Sequence, residues 1–188
     1  MTDQDPRPLA GEPMSIDLLN TRWNTGGIPH DLLDSTGGLA VWLTVPTVAH
    51  ELRGHEVRAD PPTLRALLAA REALAALIDG PADLANPEGL AALNSVLAHG
   101  RTVRALDAAG PLHTVEVDDP AWYAAWVAAD NYLRLLEERP DRIRLCAGPV
   151  CVLHFYDISR NGSRRWCSMA ACGNRDKAAR HYARAIRG

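Results

Sequence analysis

The sequence predicts an α+β protein: a mainly helical N-terminal domain with a small β-hairpin, then a zinc-ribbon-like module that ends in a helix. Three observations support this prediction. Apolar residues recur at helical spacing through much of residues 60–138, all four cysteines lie in the last quarter of the chain, and the basic residues concentrate there too. A chain of 188 residues suffices for one or two domains with a real core. The predicted divisions are a mobile leader (1–13), a helical domain (14–140) and a cysteine module (141–188).

The first elements are short. Residues 14–20 form an apolar segment that fits either a strand or a helical turn, and a loop follows at 26–29. Asp34, Ser35 and Thr36 then offer caps for a short helix that carries Leu39 and Trp42.

Clear boundary signals mark the middle of the chain. Asp60 begins a helix that the Gly80–Pro81 pair should stop, and Asn86 begins another that Gly100 should close. Residues 102–108 and 112–117 predict a hairpin. The longest helix should span about residues 120–138. Its apolar stripe is expected to be core: Trp122, Trp126, Ala129, Leu133 and Leu136.

The cysteine module shows a strand, turn and helix pattern. Residues 150–159 have strand character, the Asn161–Gly162 pair predicts a tight turn, and residues 164–166 begin the return strand. Asp157 could accept hydrogen bonds from Arg164 or Arg165 across this hairpin. The last helix is expected over about 174–186.

The cysteines form two pairs, each with four residues inside it, separated by fifteen residues. Two close thiol pairs joined by a hairpin-length spacer can supply a tetrahedral, structural zinc ion. Four thiolates leave no coordination position for water, so no hydrolytic role is expected. The alternative is four ordinary thiols or two redox-active ones, and these loops are wider than the usual two-residue spacing. The predicted zinc ligands are Cys146, Cys151, Cys167 and Cys172.

Charge divides the chain. Residues 141–188 contain ten basic and three acidic residues, a net +7, whereas residues 1–140 carry a net −10. A strongly basic module favours an anionic partner, most commonly nucleic acid, although the two halves could instead attract each other. The candidate phosphate contacts are Arg160, Arg164, Arg165, Arg175, Lys177, Arg180, Arg184 and Arg187.

Other chemistry finds little support. His50 and His55 are five residues apart and would not share a helix face, so a metalloprotease site is not expected. No phosphate-cradling Gly-Lys-Ser/Thr loop and no nucleophile elbow occur, and we expect no enzyme. The chain shows neither a secretory signal nor an apolar run long enough to cross a membrane, so a cytoplasmic protein is expected. The tryptophans could line a pocket, but helical core is the preferred interpretation.

The cysteine module resembles the CGNR zinc-finger family. The resemblance rests on the intact tetrapeptide Cys172–Arg175, the paired cysteine loops, the Phe-x-Asp at 155–157 and the Arg-Arg-Trp-Cys at 164–167. The front is similar to the ABATE domain that precedes this finger in its family, through Leu-Leu-Asn-Thr at 18–21, Asp-Leu-Leu at 31–33 and Leu-Ala-Val-Trp-Leu at 39–43. The resemblance implies a bacterial DNA-binding transcriptional regulator.

Within the finger, several roles follow from the residues themselves. Gly173 would let the backbone turn, Asn174 would cap the last helix, and Trp166 would cover the zinc site. Arg175 should bond either a backbone carbonyl inside the finger or a phosphate.

Three functions remain open at this point. The leading hypothesis is a regulator whose zinc-stabilised tail contacts DNA and whose helical front senses a ligand or partner. A homodimer is compatible with this hypothesis. The second is a protein-interaction adaptor that docks on an acidic surface, and the third is an enzyme with an unrecognised pocket in the front domain.

Overall fold

The computed structural model of the chain describes residues 5–78 and 86–178. Its α-helices are α1 (Met14–Leu19), α2 (Thr36–Leu43), α3 (Pro46–Glu51), α4 (Pro61–Ala75), α5 (Pro87–Leu97) and α6 (Tyr123–Glu138). Its strands are β1 (Arg22–Thr25), β2 (Ile28–Asp31), β3 (Gly100–Asp107), β4 (Gly110–Val117), β5 (Ile143–Leu145) and β6 (His154–Tyr156). The strands form three antiparallel pairs, β1–β2, β3–β4 and β5–β6. The predicted fold class is confirmed.

Side-chain caps fix where the helices begin, as the sequence predicts. The Ser35 hydroxyl accepts from the Gly38 N–H at α2, and the Asp60 carboxylate accepts from the Thr63 N–H at α4. The Asn86 side chain accepts from two N–H groups in the first turn of α5. Each cap satisfies N–H groups that the first helical turn leaves free. The predicted stop at Gly80–Pro81 lies outside the described residues.

Helix α6 lies at the centre of the N-terminal core and packs against α1, α4 and α5. Seven consecutive residues, Tyr123 to Ala129, are buried, so its first half is enclosed on all sides. Farther along, Tyr132 and Leu135 are buried, whereas Leu133 and Leu136 are only half-buried. The predicted stripe therefore belongs to the core. In the second half of α6, however, the most buried side chains are Tyr132 and Leu135 and not Leu133 and Leu136, because several helices pack around α6.

The hairpins follow the sequence only in part. The predicted hairpin is confirmed as β3–β4, with Gly100 opposite Val117 and Asp107 opposite Gly110. The segment predicted as a loop, 26–29, instead belongs to a second hairpin, β1–β2: Gly26 and Gly27 form its turn, and Ile28 and Pro29 begin β2. Gly26 and Gly27 both have positive φ, 60° and 85°, which suits the tight turn between right-twisted strands.

The segment predicted as a leader makes buried contacts in its described part. Arg7 is buried and forms ion pairs with Asp5 and Asp17, at 2.7 and 2.8 Å. Asp17 also accepts from the Trp42 indole N–H at 3.0 Å. Residues 5–13 therefore form part of the packed structure, and the mobility of the leader stays a prediction.

The strand pairing of the cysteine module differs from the prediction. β6 pairs with β5, which precedes the first cysteine, and residues 164–166 form no strand. The return segment is held differently, because the Arg164 N–H donates to the Asp157 carboxylate and the Ala147 N–H donates to the Arg165 carbonyl. The predicted turn is present, with Gly162 at a φ of 59°.

The end of the described chain is helical. A π-helical turn, Met169–Gly173, leads into helical residues 174–178. The rest of the predicted final helix lies outside the described residues. Among the helices that are described, none has both the length and the apolar character needed to cross a bilayer.

Candidate metal centre and its connection to the helical domain

The four cysteine sulfurs meet at one point. All four lie within 4.8 Å of one another, three of the residues are buried, and Cys151 is half-buried. The Cys151 and Cys167 sulfurs are 3.8 Å apart, and the Cys167 and Cys172 sulfurs are 3.7 Å apart. A zinc ion with bonds of about 2.3 Å to four tetrahedral sulfurs would place them about 3.8 Å apart. The predicted ligands thus come together in the spacing and chemistry that a structural zinc ion requires.

The shifted pKa values of the cysteine thiols indicate that a cation is needed to stabilise all four thiolates. The hydrogen bond with the Cys167 thiol lowers the pKa of Cys151 to about 5. The same contact raises the pKa of Cys167, and burial raises the pKa of Cys172 to about 11. Four buried sulfurs in contact cannot all ionise together without a compensating positive charge. Zinc supplies that charge and binds the thiolate form.

Gly148 makes room for the sulfurs, a role that the sequence analysis did not assign. A Cβ atom there would lie 3.2 Å from the Cys151 Cβ, 3.3 Å from the Cys172 sulfur and 3.6 Å from the Cys146 sulfur. Its carbonyl accepts from the Cys151 N–H at 3.0 Å and so closes the first cysteine loop. The Gly-Pro pair inside that loop is the signal that could have indicated a tight turn.

The second cysteine loop enters the last helix earlier than predicted. Ser168 caps it by accepting from the Ala171 N–H, so Asn174 lies inside the helix and is not its cap. Gly173 has a helical backbone and does not serve as a turn. A Cβ atom at Gly173 would lie 2.7 Å from the sulfur of the half-exposed Met169, which would have to move aside.

Two donors approach the sulfurs from outside the ligand set. The Cys167 N–H donates to the Cys146 sulfur at 3.3 Å, and the Arg175 guanidinium lies 3.5 Å from the Cys172 sulfur. Arg175 also donates to the Ala171 carbonyl at 3.3 Å. Of its two predicted partners, the structure thus shows the carbonyl inside the finger, together with a zinc ligand. Such outer contacts orient ligands and tune the metal.

Asn20 joins the helical domain to the cysteine module. Its amide donates to the His154 carbonyl and accepts from the His154 N–H, both at 2.9 Å. The side chain therefore hydrogen-bonds β6 as a neighbouring strand would. Asn20 is completely buried, which makes these bonds costly to lose.

Arg164 and Glu12 form a second connection. The Arg164 guanidinium pairs with Glu12 at 3.1 Å, donates to the Trp166 and Cys167 carbonyls, and lies 4.2 Å above the Phe155 ring centre. Glu12 also accepts from the Tyr156 N–H at 2.9 Å. Arg164 is among the candidate phosphate contacts, but its donors are engaged inside the protein. The predicted Asp157 partnership involves its backbone N–H and not its side chain.

The other candidate phosphate contacts divide into two groups. Four are exposed, namely Arg160, Arg165, Arg175 and Lys177. Arg180, Arg184 and Arg187 lie outside the described residues. Arg165 lies 5.1 Å from the ring centre of Trp166, which packs half-buried against the core.

A closed four-thiol site on a small module, packed against a helical region, defines a protein with a structural zinc site. Residues 12–139 match the ABATE family, described as "Putative stress-induced transcription regulator", and residues 142–185 match the CGNR zinc finger. The first match spans more than half of the chain, so this protein belongs to the ABATE family and carries a CGNR zinc finger after that domain. No curated protein matches the chain.

Proposed function

We propose that this protein is a cytoplasmic transcriptional regulator that binds DNA through its zinc module and senses an effector through its helical domain. The zinc ion has a structural role in this proposal, and no catalytic step is involved. The membership of a family of regulators supports the class of function. One observation supports the DNA contact. Arg164 is engaged in contacts inside the protein, whereas four other basic residues of the module are exposed and can contact phosphates.

Exposed, clustered cations bind DNA through phosphates, and each contact releases counterions. The test is a titration of the full-length, zinc-loaded protein with random duplex DNA at several salt concentrations. The double variant Arg165→Ala/Lys177→Ala should bind more weakly on every sequence, with a log–log salt slope smaller by about 2. Arg58→Ala/Arg104→Ala removes two exposed cations from the helical domain and is the matched control. Equal affinities and slopes for the two double variants and the parent would overturn the proposed interface.

The adaptor remains a second candidate, because the module also exposes apolar side chains. Their exposed fractions are 84% for Ile158, 61% for Val150 and 50% each for Leu145 and Met169. Exposed apolar surface beside charges is typical of a protein-docking surface. Absence of salt-sensitive DNA binding at low salt would favour this candidate.

A further inference from the structure

A cleft lies where the two domains meet. Its volume is ≈ 460 Å³, within the range of about 300–1,000 Å³ that small-molecule sites occupy. One wall is the β1–β2 hairpin, a second is α4, and a third is the segment that follows Cys151. A larger cleft of ≈ 630 Å³ lies beside the exposed strand β4, but it does not reach the zinc module.

The lining of the interdomain cleft suits a flat, apolar molecule. Trp23, Pro29, Ile78 and Val152 contribute apolar surface. The rings of Trp23 and His30 stack with centres 5.1 Å apart and planes 14° from parallel. His30 covers one face of the buried Trp23 ring and is itself exposed, so a further flat ring can pack against this stack at His30.

The polar groups of the cleft favour a ligand that accepts hydrogen bonds. Among the described residues of the lining, Asp31 is the only carboxylate, and both its oxygens are already used: Arg71 donates to them at 2.6 and 2.7 Å. The Leu33 N–H and Arg22 donate to the same carboxylate. Arg71 itself is buried, and its Nε has no partner among the described residues. In the described part of the lining, donors therefore exceed free acceptors, and no carboxylate there is left for a cationic ligand.

The cleft reaches residues that are tied to the zinc site. Val152 directly follows the ligand Cys151, and His154 is the β6 residue that Asn20 holds. The Asn24 amide, also in the lining, donates to the Val150 carbonyl at 3.3 Å. A molecule in the cleft would touch the hairpin and the zinc module together, so its binding would be linked to how they dock.

We propose that this cleft is the effector site, and that it takes a small aromatic molecule carrying a carboxylate. The ring packs against the Trp23–His30 stack at His30, and the carboxylate accepts from the donors around Arg71. The second part of the proposal, that occupancy changes DNA affinity, rests on the proposed function.

Calorimetric titration of the full-length protein with 2-naphthoate tests the site directly, without DNA. Ala75 lines the cleft from an exposed position on α4, so Ala75→Phe should fill the space and leave the core intact. Ala69→Phe makes the same change at an exposed α4 position outside the cleft and is the matched control. We expect 2-naphthoate to bind the parent and Ala69→Phe equally and Ala75→Phe at least tenfold more weakly, with unchanged thermal melting. The cation 2-naphthylmethylamine should not bind.

Absence of 2-naphthoate binding to the parent would overturn the site, as would equal binding by Ala75→Phe or preferential binding of the cation. A DNA titration with and without saturating 2-naphthoate then tests the coupling. Naphthoate binding with unchanged DNA affinity would overturn the coupling alone. Naphthoate binding by a protein that binds no DNA would uphold the cleft and refute the proposed function.

Discussion

Arg164 connects three parts of the molecule at the scale of a single residue. Its guanidinium reaches Glu12 before the first helix, the carbonyls next to a zinc ligand, and the face of Phe155 in β6. Burial raises the pKa of Glu12 even with Arg164 beside it. The carboxyl group therefore depends on this partner, and the arginine contributes to docking of the zinc module.

Arg164→Ala should destabilise the protein by about 1–3 kcal/mol, because the Trp166 and Cys167 carbonyls lose their side-chain donor and the Glu12 carboxyl keeps only the Tyr156 N–H. Arg165→Ala is the matched control, since Arg165 is exposed and should change stability by less than about 1 kcal/mol. Urea denaturation of the zinc-loaded proteins measures both. Equal stability of the two variants would show that the contacts of Arg164 do not hold the module.

The thiols make zinc affinity depend on pH. Cys172, with a pKa of about 11, and Cys167, whose pKa is also raised, are protonated near neutral pH and must release protons to bind metal. Apparent zinc affinity should therefore fall as the pH falls, by at least about a hundredfold per pH unit, because these two thiols alone release two protons. Below about pH 5 the dependence should steepen, because Cys151 also becomes protonated there. Competition with a chelator of known protonation between about pH 7.5 and pH 4.5 measures both effects, and a flat profile would contradict the prediction.

At the scale of elements, the Leu-Leu-Asn-Thr segment at the end of the short helix α1 contacts two different partners. Asn20 bonds β6 of the zinc module, and the Thr21 hydroxyl accepts from Arg71 of α4 at 2.8 Å. Arg71 in turn holds Asp31 at the end of β2. One short segment therefore positions the hairpin, the long helix and the zinc module, which form the walls of the cleft.

Asn20→Asp should loosen the zinc module from the helical domain. The change removes the donor to the His154 carbonyl and places a carboxylate in a fully buried position, at a cost of at least about 2 kcal/mol. Asn94→Asp, at an exposed position on α5, is the control. Relative to the parent protein, Asn20→Asp should accelerate hydrogen exchange in β6 more than in α6. Asn94→Asp should accelerate exchange in neither. Unchanged protection of β6 would refute the connecting role.

How far the sequence predicts these elements depends on how local their signals are. Helix starts at Ser35, Asp60 and Asn86 were predictable because a cap bonds N–H groups only two or three residues away. The partner strand of β6 was not predictable in this way. The local Asn-Gly turn favoured residues 164–166, whereas β6 pairs with the earlier segment Ile143–Leu145. The cysteines were predictable from their spacing, whereas the cleft was not, since its walls come from segments about 130 residues apart.

At the scale of the whole molecule, metal binding by the zinc module and its packing against the helical domain are expected to be energetically coupled. The zinc module is small, and its described residues have little regular structure beyond one strand pair and a helical end. Besides three of its cysteines, its Leu153 and Phe155 side chains are buried in the same core cluster as the helical domain. The module is thus stabilised both by the metal and by its contacts with the helical domain. Loss of the metal should weaken those contacts, and loss of the contacts should weaken metal binding.

Cys172→Ser should lower the zinc content from one ion per chain to near zero, because three thiolates and a hydroxyl no longer form the preferred ligand set. Metal-binding energy is folding energy in such modules, so amides of β5 and β6 should lose protection from exchange, while α4 and α6 stay protected and melt at a lower temperature. Chelator treatment of the parent protein provides an independent route to the same state and should give the same exchange pattern. Elemental analysis and hydrogen exchange measure the two effects separately. Full zinc content in the variant would remove Cys172 from the ligand set, and zinc loss without faster exchange in β6 would mean that the helical domain alone holds the module in place.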